Sequence, residues 1–168
     1  MGEHRLTDGR FLHFRLLGLR PALEYLFAKE QRQPVIPSQP TLESDVQELA
    51  LIKISSQCAA LGVDLINLLE AETAVLTVWS VNIDCKFETA RIALADSDLV
   101  DLYTCGTTLL MARSCSLEDN ALSDESLRQA WRSCLARLEQ YASVSNVARN
   151  SLYFLKASAK QLLDSSVS

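Results

Sequence analysis

Apolar side chains recur at the pitch of an α-helix along most of this sequence, most clearly in its last third. One stripe there comprises Leu127, Trp131, Cys134, Leu135, Leu138 and Tyr141, and a second comprises Ala148, Leu152, Leu155, Ala159 and Leu162. Spacings of three and four residues place side chains on one helix face, which can then be buried. Because only residues 143–146 separate the stripes, the pattern predicts two antiparallel helices, the second capped by a serine.

The composition agrees with a helical fold. The chain has 168 residues, of which only 5 are glycine and 4 proline, too few for a sheet protein rich in tight turns. A chain of this length fits one domain with a sizeable core. We therefore predict an all-α protein, with residues 1–168 forming a single irregular domain of about five to seven helices that ends in the antiparallel hairpin.

The first third of the chain contains a helical segment, a break and a loop. Residues 11–30 have helical composition, but Pro21 interrupts them. Proline removes a backbone donor and clashes with the preceding turn, so we expect a kink or two helices meeting near Arg20. Three prolines among polar residues mark a surface loop at 31–40.

Two further helices are predicted in the middle of the chain. Residues 41–70 keep helical spacing and should form one long amphipathic helix, capped by Thr41 or Ser44. Residues 99–112 are almost continuously apolar or small, which is typical of a helix buried on most sides. Residues 75–83 are β-branched and partly alternating, but a strand there would have no partner elsewhere in the chain.

Charge and hydropathy argue against several classes of protein. No segment has the pattern of a secretion signal or a membrane span, so neither secretion nor membrane insertion is predicted. The net charge is −5; residues 1–20 carry +2, so the remainder carries −7. An acidic body repels a phosphate backbone, and direct nucleic-acid binding is therefore disfavoured.

The five cysteines do not form a metal-binding pattern. They are Cys58, Cys85, Cys105, Cys115 and Cys134, widely spaced among apolar or small neighbours. With no CxxC pair and only two histidines, His4 and His13, a structural zinc site has almost no ligands. Buried, reduced thiols are the simplest interpretation.

Four blocks of sequence resemble a known family. In order they are RLLGLRPALEYL (Arg15–Leu26), AETAVLTVW (Ala71–Trp79), LYTCGTTLLMAR (Leu102–Arg113) and AWRSCLARLEQYASVSNVARNSLYFL (Ala130–Leu155). Together they resemble the C-terminal part of the fungal-specific transcription factor domain, the middle homology region of binuclear zinc-cluster regulators. The resemblance implies an all-α regulatory domain in a nuclear protein, which controls a linked DNA-binding module and responds to small molecules or protein partners.

The same resemblance implies what this chain lacks. The family has no catalytic residues to carry over, and its zinc ligands lie in a separate six-cysteine module of which this sequence contains nothing. We therefore assign no catalytic, cofactor-binding or metal-binding residues.

The carboxylate oxygens of Asp96, Asp98 and Asp101 could hold Mg²⁺. Because no second acidic set or basic cluster accompanies them, an acidic helix N-terminus is the simpler interpretation.

Cys58 or Cys105 could act as a thiol nucleophile with His13 as its base. Nothing in the local sequence brings these residues together, so the cysteines are expected to be small core residues. Ser55 and Ser56 lack the glycine elbow of a hydrolase and should be solvated or back-bonded.

Aromatic and basic residues give two further candidates. Trp79, Tyr103, Trp131 and Tyr153 could line a ligand pocket, but for Trp131 and Tyr153 core packing is favoured. Arg15 and Arg20 could meet phosphates, but pairing with helix carboxylates such as Glu24, or a position along the surface, is more usual.

These observations predict a non-enzymatic regulatory or interaction module, a truncated regulator without its own DNA-binding site. It would bury an exposed apolar helix face against a protein partner or a second copy, in the nucleus by resemblance and otherwise in the cytoplasm. An alternative is a stand-alone helical protein that binds or transforms a small molecule in a fungal biosynthetic pathway. A third is an unrelated helical adaptor.

Residues 81–100 depart from the family pattern, because similar sequences run from the tryptophan block directly into the next helix. We hypothesise that this segment is an insertion or a translated short intron, and that it packs less well than the rest. Sequencing the transcript across it should reveal a shorter spliced form; a single unspliced message would instead establish a genuine insertion.

Overall fold

Five α-helices account for nearly all of the chain that can be described. The computed structural model describes the backbone of residues 3–32, 42–80, 87–115, 117 and 122–165, and the side chains of 9–32, 45–71, 98–115, 117 and 122–162. The helices are α1 (Glu3–Gln31), α2 (Leu42–Ser80), α3 (Phe87–Ser114), α4 (Asp124–Ala142) and α5 (Asn146–Ser165). The predicted all-α class is confirmed, with a helix count at the lower end of the expected range.

Helix α1 runs through Pro21 without ending, so of the two expected alternatives the meeting of two helices near Arg20 is wrong, and the kink stays a prediction. Proline costs one backbone hydrogen bond in a helix interior. Burial compensates for that loss, because Leu16 on one side of the proline and Leu23 and Leu26 on the other are all inserted into the core. The proline itself lies on the exposed side of the helix.

Helix α2 contains the predicted helix and extends beyond it to Ser80. Residues 75–80 of the β-branched run are therefore helical, and 81–83 lie outside the described residues, as do Thr41 and the side chain of Ser44. Its stretch Asp45–Ala71 is long and apolar enough to cross a membrane, but 44% of that window is buried within the protein. The core helix of a soluble protein has the same properties, so this is weak evidence of a membrane span.

Helix α3 is the centre of the fold, since it packs against each of the other four helices. The prediction that residues 99–112 form a helix buried on most sides is confirmed: Leu99, Leu102, Cys105, Leu109 and Ala112 are all buried. Thr108 is also fully buried, and its hydroxyl donates to the Thr104 carbonyl oxygen at 2.8 Å. Small residues and back-bonded hydroxyls thus let neighbouring helices approach α3 closely without leaving polar atoms unpaired.

Helices α4 and α5 form the predicted hairpin. The Ser123 hydroxyl caps α4 by accepting from the Ser126 amide at 3.1 Å, and the Ser145 hydroxyl accepts from the Ala148 amide at 3.3 Å at the start of α5. Lys156 reaches across the hairpin to Glu139, with 2.6 Å between nitrogen and oxygen. Both predicted apolar stripes face inward, with Leu138 and Leu155 buried. Of the loop predicted at 31–40, Gln31 closes α1 and residues 33–40 lie outside the described part.

Two glycines in helix interiors should respond oppositely to alanine. A Cβ atom at Gly62 would make ordinary contacts, the nearest at 3.6 Å to Leu16, whereas one at Gly106 would lie 2.7 Å from Leu155 Cδ1 and 3.3 Å from Cys134 Sγ. We expect Gly62→Ala to raise the free energy of unfolding by about 0.5–1 kcal/mol, because glycine is a poor helix former. Gly106→Ala should lower it by about 1 kcal/mol, since the overpacking outweighs the same helix gain.

Chemical denaturation monitored by circular dichroism measures both variants against the parent chain. If Gly106→Ala were as stabilising as Gly62→Ala, the close packing of α5 against α3 at Leu155 would be contradicted.

Candidate functional site

A half-buried cluster of charged and polar side chains joins α1, α3 and α4. His13 of α1 places Nδ1 2.5 Å from Oδ1 of Asp101 on α3, and both side chains are less than one-fifth exposed. His13 Nδ1 has no hydrogen-bond partner among the described residues, so the contact is an ion pair when the imidazole is protonated. One helix turn away, the Tyr141 hydroxyl donates to Asp98 Oδ2 at 3.2 Å.

Arg137 completes this cluster from α4. Its side chain is 9% exposed and places Nη2 3.9 Å from Asp98 Oδ2, while its guanidinium lies 6.0 Å from the centre of the Tyr141 ring. The Arg137 Nε atom has no hydrogen-bond partner among the described residues. A buried guanidinium is costly without compensation, so Asp98 and Tyr141 supply the opposite charge and the aromatic face that it needs.

Burial is the main influence on both carboxyl groups. It raises the pKa of Asp98 above its usual range, although the Tyr141 hydroxyl and Arg137 oppose the shift. Burial likewise raises the pKa of Asp101, against the opposing effect of His13 and with a further contribution from the charge of Asp98. Burial also raises the pKa of Tyr141, helped by the nearby Asp98 carboxylate.

The acidic motif lies in the interior of α3, so the expectation of a helix N-terminus there is wrong, and two of its three carboxyls make contacts within the chain. Asp98 and Asp101 each face a cationic or hydroxyl group of this chain, and the side chain of Asp96 lies outside the described residues. Among the described residues, no three acidic, thiol or imidazole groups gather as metal ligands.

The four described cysteines are buried, reduced thiols, as the sequence predicts; Cys85 lies outside the described part. Burial raises the pKa of Cys58 to about 11 and that of Cys134 to about 12, and it raises that of Cys105 well above the ordinary value. Cys58 and Cys134 donate to backbone carbonyls of Leu16 and Leu102. These thiols therefore stay protonated at neutral pH, which is the opposite of what nucleophilic cysteines need.

Two expectations for single residues are wrong. Ser55 and Ser56 are buried rather than solvated, and the Ser55 hydroxyl has no hydrogen-bond partner among the described atoms, so it is not back-bonded either. Tyr153 is 71% exposed rather than in the core, and it stacks edge-on against exposed Phe154 on the outer side of α5. Trp131 packs partly buried against the core, as expected.

Of the remaining candidates for ligand contacts, Tyr103, Arg15 and Arg20 are at least partly exposed. Tyr103 is 39% exposed, and the side chain of Trp79 lies outside the described residues. Arg20 pairs with Glu24 at 2.7 Å, as the sequence indicates. Arg15 places its guanidinium carbon 5.6 Å from the centre of the Phe11 ring.

A feature that we did not predict is an apolar line along the solvent side of α1. We call it the α1 outer face and define it by Phe11, Phe14, Gly18, Pro21 and Tyr25. The three aromatic residues are 61%, 71% and 64% exposed, and none of the five residues is charged. Spacings of three and four residues, visible in the sequence, could have revealed this second stripe beside the leucines that enter the core.

An open depression of about 390 Å³ adjoins this face. It is lined by Arg10, His13, Phe14, Val100 and Asp101. The depression therefore connects the aromatic line on α1 with the charged cluster at the junction of α1 and α3.

No family model, curated protein or solved structure matches this chain.

The buried carboxyls should make the protein more stable in mild acid. The folded-state pKa of Asp98 and of Asp101 lies above 3.8, the value expected in the unfolded chain. At pH values between 3.8 and the raised pKa, the folded chain therefore binds more protons than the unfolded chain. Their contribution to the free energy of unfolding should increase as pH falls from neutral into that interval. Replacing Asp98 with Asn should flatten this dependence.

The measurement is urea unfolding at a series of pH values, with Asp64→Asn as the matched control on an exposed carboxyl of α2. Equal slopes for the two variants would show that Asp98 is not the perturbed group.

Proposed function

We propose that this chain is a non-enzymatic interaction module whose partner-binding surface is the α1 outer face. The observation that carries the proposal is the line of exposed aromatic rings at Phe11, Phe14 and Tyr25. A helix in a monomer is normally polar on its solvent side, whereas a helix that is apolar all round is normally buried. Helix α1 therefore presents apolar side chains on its solvent side as well as on its core side.

The energetics of this face fit a docking surface. Aromatic rings bury large areas and are over-represented among the residues that dominate interface energies. Proline and glycine between the rings add no charge that would have to be desolvated, since Gly18 and Pro21 carry only small or cyclic apolar groups. A contiguous exposed patch of this kind marks an interaction site more often than a random surface does.

The chemistry of the other polar groups supports a non-catalytic role. The described thiols are protonated, and His13, Asp98 and Asp101 are engaged with side chains of the same chain. Among the described residues, the depression beside Phe14 is the candidate site for the alternative, a small-molecule-binding protein or enzyme. That depression is open, and His13 and Asp101 face each other there, so we favour the interaction module.

The resemblance to the fungal transcription factor domain also supports a non-enzymatic interaction module. By that resemblance the chain would be a regulatory module of a nuclear protein, which binds partners and does not itself read DNA. Its acidic body, with a net charge of −5, fits a protein that does not bind nucleic acid directly.

Site-specific photo-crosslinking in cells tests this function. A benzophenone amino acid in place of Phe14 or Tyr25 should give discrete covalent adducts, because these positions would be covered by a partner. The same amino acid in place of Phe154, which is 59% exposed on α5, is the matched control and should give few adducts.

A second experiment distinguishes a loss of binding from a loss of folding. Phe14→Gln should change the free energy of unfolding by no more than about 0.5 kcal/mol, as for an exposed side chain, and should abolish adducts from a crosslinker at position 25. A docking role for α1 would be refuted if position 154 gave adducts as abundantly as positions 14 and 25. It would also be refuted if no position gave adducts.

A further inference from the structure

We propose that the partner covering the α1 outer face is a second copy of this chain, with the two α1 helices packed antiparallel about a two-fold axis close to Gly18. This inference rests on the proposed function and names its partner. Three independent features of α1 lead to it: the symmetry of the apolar line, the space at its centre and the distribution of charge along it.

The apolar line is nearly symmetric about Gly18. Phe11 lies seven residues before the glycine and Tyr25 seven residues after it, so both rings point to the same side of the helix. Reversing one helix over another about Gly18 sets Phe11 of one copy against Tyr25 of its partner, and does so twice. A two-fold interface requires such a self-complementary surface.

The centre of the line has room for a close crossing. A Cβ atom built at Gly18 would meet nothing within 4 Å, so the surface there is open. The distance between packed helices depends on the side chains at the contact, and glycine gives the shortest. Aromatic rings on either side of a small central residue then make contact without forcing the backbones apart.

The charges beside the line favour the antiparallel arrangement. Arg10 and Arg15 lie in the first half of α1, are exposed, and have no carboxylate partner among the described residues. Glu24 lies in the second half, paired with Arg20. Parallel helices would bring Arg10 and Arg15 of both copies together. Antiparallel helices instead bring Arg10 towards the half in which Glu24 and Glu30 offset Arg20 and Lys29, and they place opposite ends of the two helix dipoles side by side.

The size of the surface sets the expected affinity. Residues 11–25 span about 21 Å of helix, and one helix from each copy covers less than the roughly 800 Å² per partner of a standard stable interface. We therefore expect a reversible dimer with a Kd of about 1–100 µM.

Sedimentation equilibrium of the full chain over a range of concentrations measures this association. Phe14→Gln and Tyr25→Gln should each weaken dimerisation by about tenfold or more. Phe154→Gln, which replaces a slightly less exposed aromatic residue outside α1, should not change it. Gly18→Gln is the sharpest variant, because it improves helix propensity and should give a chain that resists unfolding better while it dimerises less well.

Charge reversal tests the orientation. Arg10→Glu should weaken the dimer, and adding Glu24→Arg in the same chain should restore part of the loss. Restoration is expected for antiparallel helices, and its absence would overturn this arrangement.

The outcome also separates this inference from the proposed function. A chain that stays monomeric at all concentrations, yet forms adducts from positions 14 and 25 with a different protein, would reject self-association and retain the interaction module. A monomer without such adducts would reject both. Equal weakening by Phe154→Gln and Phe14→Gln would place the dimer interface elsewhere and reject the proposal.

Discussion

The packing of α3 against all four other helices is the constraint on which the rest of the structure depends. Its residues Cys105, Gly106 and Thr108 are fully or nearly fully buried, and they are small enough for helices to approach from several directions. Leu155 of α5 and Cys134 of α4 meet at Gly106, while α2 approaches through Gly62, close to Thr108. A central helix with large side chains would hold its neighbours farther apart and leave cavities between them.

The charged cluster at the junction of α1, α3 and α4 gives α3 a second function in the fold. Asp98 and Asp101 lie one turn apart on α3 and bind groups from different helices, Tyr141 and Arg137 of α4 in one case and His13 of α1 in the other. Burying these carboxyls costs free energy, as their raised pKa values indicate. In exchange, directional contacts fix how α1 and α4 are rotated against α3, which apolar packing alone specifies less sharply.

Much of this architecture follows from the sequence, because helical spacing of apolar residues predicts which side of each helix is buried. It located α3 and the hairpin, including the serine at the start of α5. Of its two alternatives at Pro21, that of two separate helices is wrong, because burial of Leu16 and Leu23 keeps the helix continuous. It was also wrong at Tyr153, which lies beside the inward stripe but points outward. The charged cluster could not be predicted, because His13, Asp101 and Arg137 are distant in sequence and meet only through tertiary packing. The α1 outer face was visible as a second stripe, but periodicity alone does not say which of two stripes enters the core.

The contact between Gly106 and Leu155 has a consequence for how this protein can change over evolutionary time. Since a single added carbon at position 106 would come within 2.7 Å of the leucine, the two sites are not free to vary independently. A related chain with alanine or serine at the first should carry a shorter side chain at the second, so that the combined volume stays constant. Such paired replacements would allow α5 to keep its place on α3 while the surrounding sequence diverges.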